Sequence, residues 1–412
     1  MLKNYLLIAT RSLLKNIGYT SINVIGLAIG LACCLLVTLY VRFELSYESF
    51  HINKESIYRY IPRGERDGVV SMQTMLPAGF GPLIADNFRE VEMFSRFTHL
   101  EERPLMQIGE IFLDAKHLAM ADDDFFRMFS FKLTQGDPAL VLNRPFTVAI
   151  AKSVADKFFP DGEIIGKTIR FDNAYDLEVT GVFKDVPANS HLEFTYVTTF
   201  ETGAKIVEDR YNFPAEQFLT NLDAWNYATY FYIPNHKDVD ELVKRMDKKF
   251  TESRMEVYNP ERTGDWLQPL TEIHFTKGVK ADTANGDKNY VYIFSAIAAI
   301  ILIIACFNFM NLSTARAIKR SKEVGLRKVM GAFRHQLIKQ FMGETIILVS
   351  VALVLGVILL ELMVPFFNSI VGQRLEVNYF GAYGFFWIFL AAGLLTAFIA
   401  GSYPAFYLSS FS

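Results

Sequence analysis

The chain reads as a membrane protein with four transmembrane α-helices and a large α+β domain inserted between helices 1 and 2. Three observations predict this. Four long apolar runs, over 18–41, 290–313, 345–367 and 383–408, are each long enough to cross a bilayer, for which about 20 residues suffice. Residues 42–289, between the first two runs, bring in charges, prolines and short strand-like stretches, as a water-exposed domain does. Between the second and third runs lies the basic stretch ARAIKRSKEVGLRKVMGAFRHQLIKQFMGE, Ala315 to Glu344. Basic residues beside spans favour the cytoplasmic side, which places both termini there and the large domain outside.

Composition agrees. The 412 residues leave room for two or three domains, and 51% hydrophobic with 21% charged residues describes spans plus a sizeable exposed part. A formal net charge of −3 gives no sign of a nucleic-acid partner. Cys33, Cys34 and Cys306 all fall in apolar runs, so neither a disulfide framework nor a cysteine-based zinc site is expected in the inserted domain. The seven histidines show no ligand spacing, and no metal site or catalytic set stands out.

In chain order, 1–17 carries Leu2, Leu6, Ala9, Leu13 and Leu14 on one side with Lys3, Arg11 and Lys15 elsewhere, an amphipathic helix for the inner membrane surface. The first span, 18–41, is too long for an ordinary signal-peptide core and is read as uncleaved. Its Gly26 and Gly30 form a G-x-x-x-G pair that lets another helix approach closely.

In the inserted domain, Asp122-Asp123-Asp124 before Phe125-Phe126 reads as a helix cap. Thr147 to Ile150 reads as a strand, followed by a short helix from Ser153 to Phe159. Lys167 to Phe171 and Asp176 to Phe183 form a hairpin around Asp172-Asn173-Ala174. Tyr227 to Ile233 is a further strand, Val239 to Phe250 an amphipathic helix and Ile273 to Phe275 extended. Gly162 to Thr168 imitates a phosphate-binding loop, but it has one residue too few between its glycines and leads into an extended run. No nucleotide site is expected in this chain.

Asn308 and Asn311 share a face near the inner end of the second span, 290–313, placed for hydrogen bonds across helices. In 314–344, Gly325 and Gly331 bend the chain around a short helix, and Phe333, Leu337, Ile338, Phe341 and Met342 make an amphipathic helix that feeds the third span, 345–367. Glu361 lies near that span's outer end, within reach of water. A short outer loop, 368–382, leads to the fourth span, 383–408, with Trp387 near one end and Tyr403 and Tyr407 near the other.

This order of elements resembles the MacB/FtsX-type ABC transporter permeases. Arg316 to Ala332 is similar to the family's A-x-x-R-x-x-E-[IV]-G-x-R-[KR]-x-x-G-A turn. The inserted domain resembles the family's periplasmic core at Ala121-Asp122, Gly136-Asp137-Pro138, Ile165-Gly166-Lys167, Val179 to Val182 and Pro187-Ala188-Asn189-Ser190-His191. Asn16-Ile17-Gly18 and Ser21 to Leu27 look like the version common in Bacteroidota.

The resemblance implies a non-catalytic permease of the bacterial inner membrane that works as a dimer, or with a second permease half. A separate cytoplasmic ATPase, which binds the ATP and magnesium, would dock on the turn through Glu323, Arg327 and Lys328, with Gly325 and Gly331 making the bends. Its motion would pass to the periplasmic domain. That domain would move a periplasmic peptide, lipoprotein or small toxic compound toward an adaptor or outer-membrane partner. A signalling device of the FtsX kind, acting on a periplasmic hydrolase or sensor, is the alternative. Many relatives continue into a second similar half, so a fragment or a half-size permease is expected.

Overall fold

The computed structural model describes residues 17–66, 68–100, 105–109, 111–114, 117–159, 162, 164–234, 238–253, 261–262, 264–282, 286–319, 326, 329–330, 333–373, 375–379 and 384–410. The predicted N-terminal amphipathic helix lies outside them. The chain divides into two units, one of Met1–Leu45 with Asp287–Ser412 and one of Ser46–Gly286.

The first unit is helical. Its helices run over Ile17–Glu44, Lys288–Lys319, Arg334–Val371 and Phe385–Ser410, and each contains a stretch long and apolar enough to span a bilayer. They interlock through small residues. A Cβ on Gly356 would stand 3.2 Å from the Ala28 carbonyl oxygen, and one on Gly393 would stand 2.9 Å from Leu353. Leu27, Ala28, Leu31, Ala305, Phe309, Val349, Ala352, Ala397 and Ala400 pack together as one core. Close backbone approach through small side chains is how helices associate without a hydrophobic drive between them.

The third helix takes in both the segment before the third span and the span itself. It runs unbroken from Arg334 to Val371, Pro365 included. At its start the Phe333 N–H is capped by Gln336 Oε1 at 3.1 Å. At its end Gly372, at φ +71°, takes the left-handed position and donates to the Asn368 carbonyl. Glu361 is exposed and hydrogen-bonded by the Tyr379 hydroxyl.

The second unit is built on a mixed sheet of 13 strands among the described residues. Thr147–Ala151 pairs in parallel with Tyr175–Phe183 and antiparallel with Tyr196–Thr199, which runs parallel to Leu118–Ala121. The sheet continues through Met93–His99, Trp225–Tyr232 and Ile57–Ile61 to an edge at Trp266–Pro269. A second, four-stranded sheet carries Arg63–Arg66 and Val69–Gln73. The predicted hairpin is present, with Phe171 opposite Tyr175 and both Asp172 and Asn173 at positive φ, the geometry a tight turn of matching twist requires. Lys167 leads into the strand Thr168–Phe171, as a phosphate-binding loop would not.

Two local expectations are corrected. Ile273 to Phe275 belong to the 3₁₀ turn Leu270–Phe275, which starts after Pro269 and buries Ile273 and His274. The acidic triplet is not a side-chain cap. Asp124 occupies the N-cap without capping, and its carboxylate bonds Arg127 instead. Asp122 is buried and bidentate with Arg96, at 2.5 and 3.0 Å, while Arg96 also donates to the Ala78 carbonyl and stacks 4.0 Å over Phe200.

Candidate functional site

Three places in the chain can carry function: the turn between the second and third helices, the seam between the first two, and a buried polar chain in the inserted domain. Of the turn, Glu323, Gly325, Arg327, Lys328 and Gly331 lie outside the described residues. Its described members are apolar and open to solvent. Leu326, Val329, Met330 and Phe333 are 63%, 87%, 72% and 65% exposed. The Met330 N–H donates to the Leu326 carbonyl, so Leu326, Val329 and Met330 share the face of one helical turn. The sequence reading weighed the charges of this segment and passed over that stripe, although its spacing was visible.

At the seam, Gly30 lies so close to the second span that a Cβ would fall 2.5 Å from that of Ala305, and a Cβ on Gly26 would fall 3.4 Å from Asn308 Nδ2. Asn308 and Asn311 are exposed on the single chain, and so lie outside the core of these four helices. The buried amide is Asn23, one turn before Gly26. It is 1% exposed, and among the described residues neither its Oδ1 nor its Nδ2 has a partner. Sequence reasoning missed it, though its spacing to Gly26 and Gly30 places it on their face.

The polar chain joins the stretch that follows the first span to the one that precedes the second. Asn189 Nδ2 donates to the Ser46 carbonyl at 2.9 Å, and the Glu48 N–H donates to the Asn189 carbonyl. Glu48, at φ +56° and wholly buried, receives the His191 backbone N–H at 2.5 Å and faces His191 Nδ1 at 2.9 Å and His51 Nε2 at 3.0 Å. His191 Nε2 is 2.7 Å from the Tyr230 hydroxyl. Arg59, opposite Tyr230 on the neighbouring antiparallel strand, forks onto both oxygens of Asp282 at 2.7 and 2.8 Å and onto Gln268 Oε1. Beside this chain the Tyr47 ring stacks on His274, whose carbonyl accepts the Gly286 N–H.

Burial alone would raise the Glu48 carboxyl. The pull of His191 and His51 outweighs it and holds the group well below the usual carboxylate range. Burial lowers the His51 ring against the opposing effect of Glu48, and it raises the Tyr230 phenol. The arrangement has a carboxylate–imidazole–hydroxyl order, but its members are shut off from solvent and substrate, so its chemistry is structural. Among the described residues no cluster suits a metal ion.

The same unit has an open cleft of about 390 Å³. Met120, Phe171, Ile206 and Tyr227 line it, along with His99, Arg210 and Asn226. Gly203 leaves room for Met120, whose sulfur would lie 2.1 Å from a Cβ there. Arg210 is ion-paired with Asp172, and burial, reinforced by His117, lowers the His99 ring.

Comparison with known proteins decides the family. The MacB-like periplasmic core domain matches residues 20–249, more than half of the chain, and the FtsX-like permease C-terminal region matches residues 295–412. The chain belongs to the MacB/FtsX-type ABC transporter permeases. Within this family it is 25% identical over 257 residues to the ABC transporter permease YvrN of Bacillus subtilis, covering 58% of this chain and 55% of YvrN. It is also 25% identical over 277 residues to the macrolide export ATP-binding/permease protein MacB of Bdellovibrio bacteriovorus, covering 64% of this chain and 37% of that one. A crystal structure of a permease-protein domain from Porphyromonas gingivalis is similar over 59% of this chain and 98% of that one, with a TM-score of 0.44 and 21% identity. The periplasmic region of MacB from Actinobacillus actinomycetemcomitans gives a TM-score of 0.34 at 14% identity, covering 48% of this chain and 85% of that one.

Proposed function

We propose that this permease passes ATP-driven motion from a separate cytoplasmic ATPase to its periplasmic domain, and so extrudes a substrate already in the periplasm. One observation carries the reading. The stretch that leaves the first span and the one that enters the second are fastened into the same domain, by Ser46 to Asn189 and by Tyr47 to His274. A relative shift of the two spans therefore loads the domain at both its chain crossings.

The ATPase, with its ATP and magnesium, docks on 320–333. Leu326, Val329 and Met330 supply the apolar contact, and Glu323, Arg327 and Lys328 the charged rim, the usual anatomy of a specific interface. Gly325 and Gly331 shape the turn. The permease works as a homodimer or with a second permease half in the bacterial inner membrane, termini cytoplasmic, and hands its substrate to a periplasmic adaptor or outer-membrane partner. Asn308 and Asn311, exposed on one chain, then serve helix contacts between halves. The cleft beside Ile206 and Tyr227 falls within the roughly 300–1,000 Å³ of ligand sites and suits an apolar group of the peptide, lipoprotein or small toxic compound moved.

Deleting the chain's gene separates transport from signalling. Export of candidate periplasmic substrates should fall while cell-wall turnover stays unchanged. Unchanged export with altered turnover would put the signalling function in its place.

A further inference from the structure

The cleft of the inserted domain sits where the large sheet comes apart. Trp225–Tyr232 and Met93–His99 pair antiparallel, with Tyr232 opposite Met93 and Ala228 opposite Phe97, and there their pairing ends. Continued by two steps, the same register would set Tyr227 opposite Thr98 and Asn226 opposite His99. Those four residues line the cleft instead. The cause is local on both arms. Asn226 is the extra residue of a bulge, since Trp225 pairs with Pro77 and Tyr227 with Leu76, and a bulge bends its strand. On the other arm Thr98 and His99 stay with Met120 and Ala119.

The fork leaves strand backbone facing its opening. The Arg96 N–H reaches the Asp122 carboxylate and the Leu100 N–H reaches the Leu118 carbonyl, so both point to the side of Leu118–Ala121. Backbone groups of successive residues in a paired strand point to opposite edges, so those of His99 turn into the fork. His99 and Asn226 are both exposed. Met120, Ile206, Phe218 and Tyr227 make the cleft apolar. Arg210 on its wall is ion-paired with Asp172, so the cleft complements an uncharged side chain.

We propose that this fork binds an extended peptide, which pairs its backbone with the open strand edges and places an apolar side chain in the cleft. An inserted strand supplies the donors and acceptors that each arm lacks from the other. Its residues point alternately to the two faces, so every second one meets the cleft. Affinity then comes from the main chain and selectivity from the pocket. That such a peptide is the cargo rests on the transport reading, whereas its binding needs no ATPase.

The probe is a fluorescein-labelled seven-residue peptide of alternating threonine and valine with phenylalanine at its centre. It is titrated by fluorescence anisotropy into the full-length protein in lipid nanodiscs, where it should bind saturably. N-methylation of alternate residues removes backbone donors and keeps the side chains, and it should weaken binding by about tenfold. Aspartate at the centre should weaken it by a similar factor. Val207→Trp, which fills the cleft from its wall, should abolish binding. A benzophenone in place of the central ring should crosslink to 98–100 or to 226–227, a readout that needs no variant. No saturable binding, equal affinity of the N-methylated peptide, or crosslinks confined to other segments would overturn the fork as a peptide site. So would a Val207→Trp protein with wild-type affinity. Binding as described, in cells that export no such peptide, would uphold the site and count against the transport reading instead.

Discussion

Tyr47 lies flat on His274, their ring centroids 3.4 Å apart and their planes 7° apart, although 226 positions of sequence separate them. One ring follows the first span and the other precedes the second, so the contact closes the inserted domain where the chain enters and leaves it.

Breaking that contact should weaken the domain modestly. In a double-mutant cycle of Tyr47→Ala and His274→Ala, the coupling should be about 0.5–1.5 kcal/mol, read from urea unfolding of the full-length protein in nanodiscs. Additive effects would remove the stack as a fastening.

The buried pair of Arg96 and Asp122 should behave asymmetrically. Asp122→Asn leaves the guanidinium without its counter-charge and should cost about 3–5 kcal/mol, whereas replacing both residues with apolar ones should cost clearly less. Thermal unfolding of the three variants checks the order.

The fastenings of this domain were only half legible in its sequence. The spans could be read because apolar runs declare themselves locally, and the hairpin at Asp172-Asn173 because its turn chemistry is local too. The carboxylate of Asp122 suggested a cap for the same reason, since nothing nearby reveals that Arg96, 26 positions earlier, takes it. Glu48 and His191 are 143 positions apart and meet only in the folded sheet. The Pro187 to His191 motif could be seen as a likeness, but its role as an anchor for Glu48 could not. The spacing of Asn23 to Gly26 and Gly30 was visible, but nothing local shows that its amide is buried.

Asn23→Leu should stabilise the helical unit by about 1–3 kcal/mol, because it removes a buried amide whose donor and acceptor are both unpaired among the described residues. Thermal denaturation in detergent reads this directly. A loss of stability would mean that the amide has a partner.

Gly30→Ala should cost about 1–3 kcal/mol by forcing the first and second spans apart at Ala305, and Ala305→Gly in the same chain should restore much of it. Disulfide trapping between cysteines placed along the two helices would follow the separation. Equal trapping in Gly30→Ala and wild type would show that the seam tolerates the methyl group.

Acid should destabilise the domain in two steps. Burial lowers the His51 ring, so below about pH 6.5 the unfolded chain takes up a proton that the folded one refuses, and stability present above that pH is lost as it falls. Glu48 is held low in the fold by His191 and His51 despite its burial, so a second loss begins below about pH 4.3, where the unfolded carboxyl protonates first. Unfolding followed by the fluorescence of Trp225 and Trp266 should show both, and His51→Gln should remove the first. A stability that stays flat from pH 8 to 5 would contradict this.

The central claim is that a separate ATPase acts through the turn between the second and third helices. Its most direct test is to purify the tagged full-length protein from native membranes and quantify its partners by mass spectrometry. An ATP-binding subunit should come along in near-equal amount, and it should be lost from a Glu323→Lys, Arg327→Glu variant that still inserts and folds. A wild-type protein that brings no ATPase, or a charge-reversed one that keeps it, would contradict the claim.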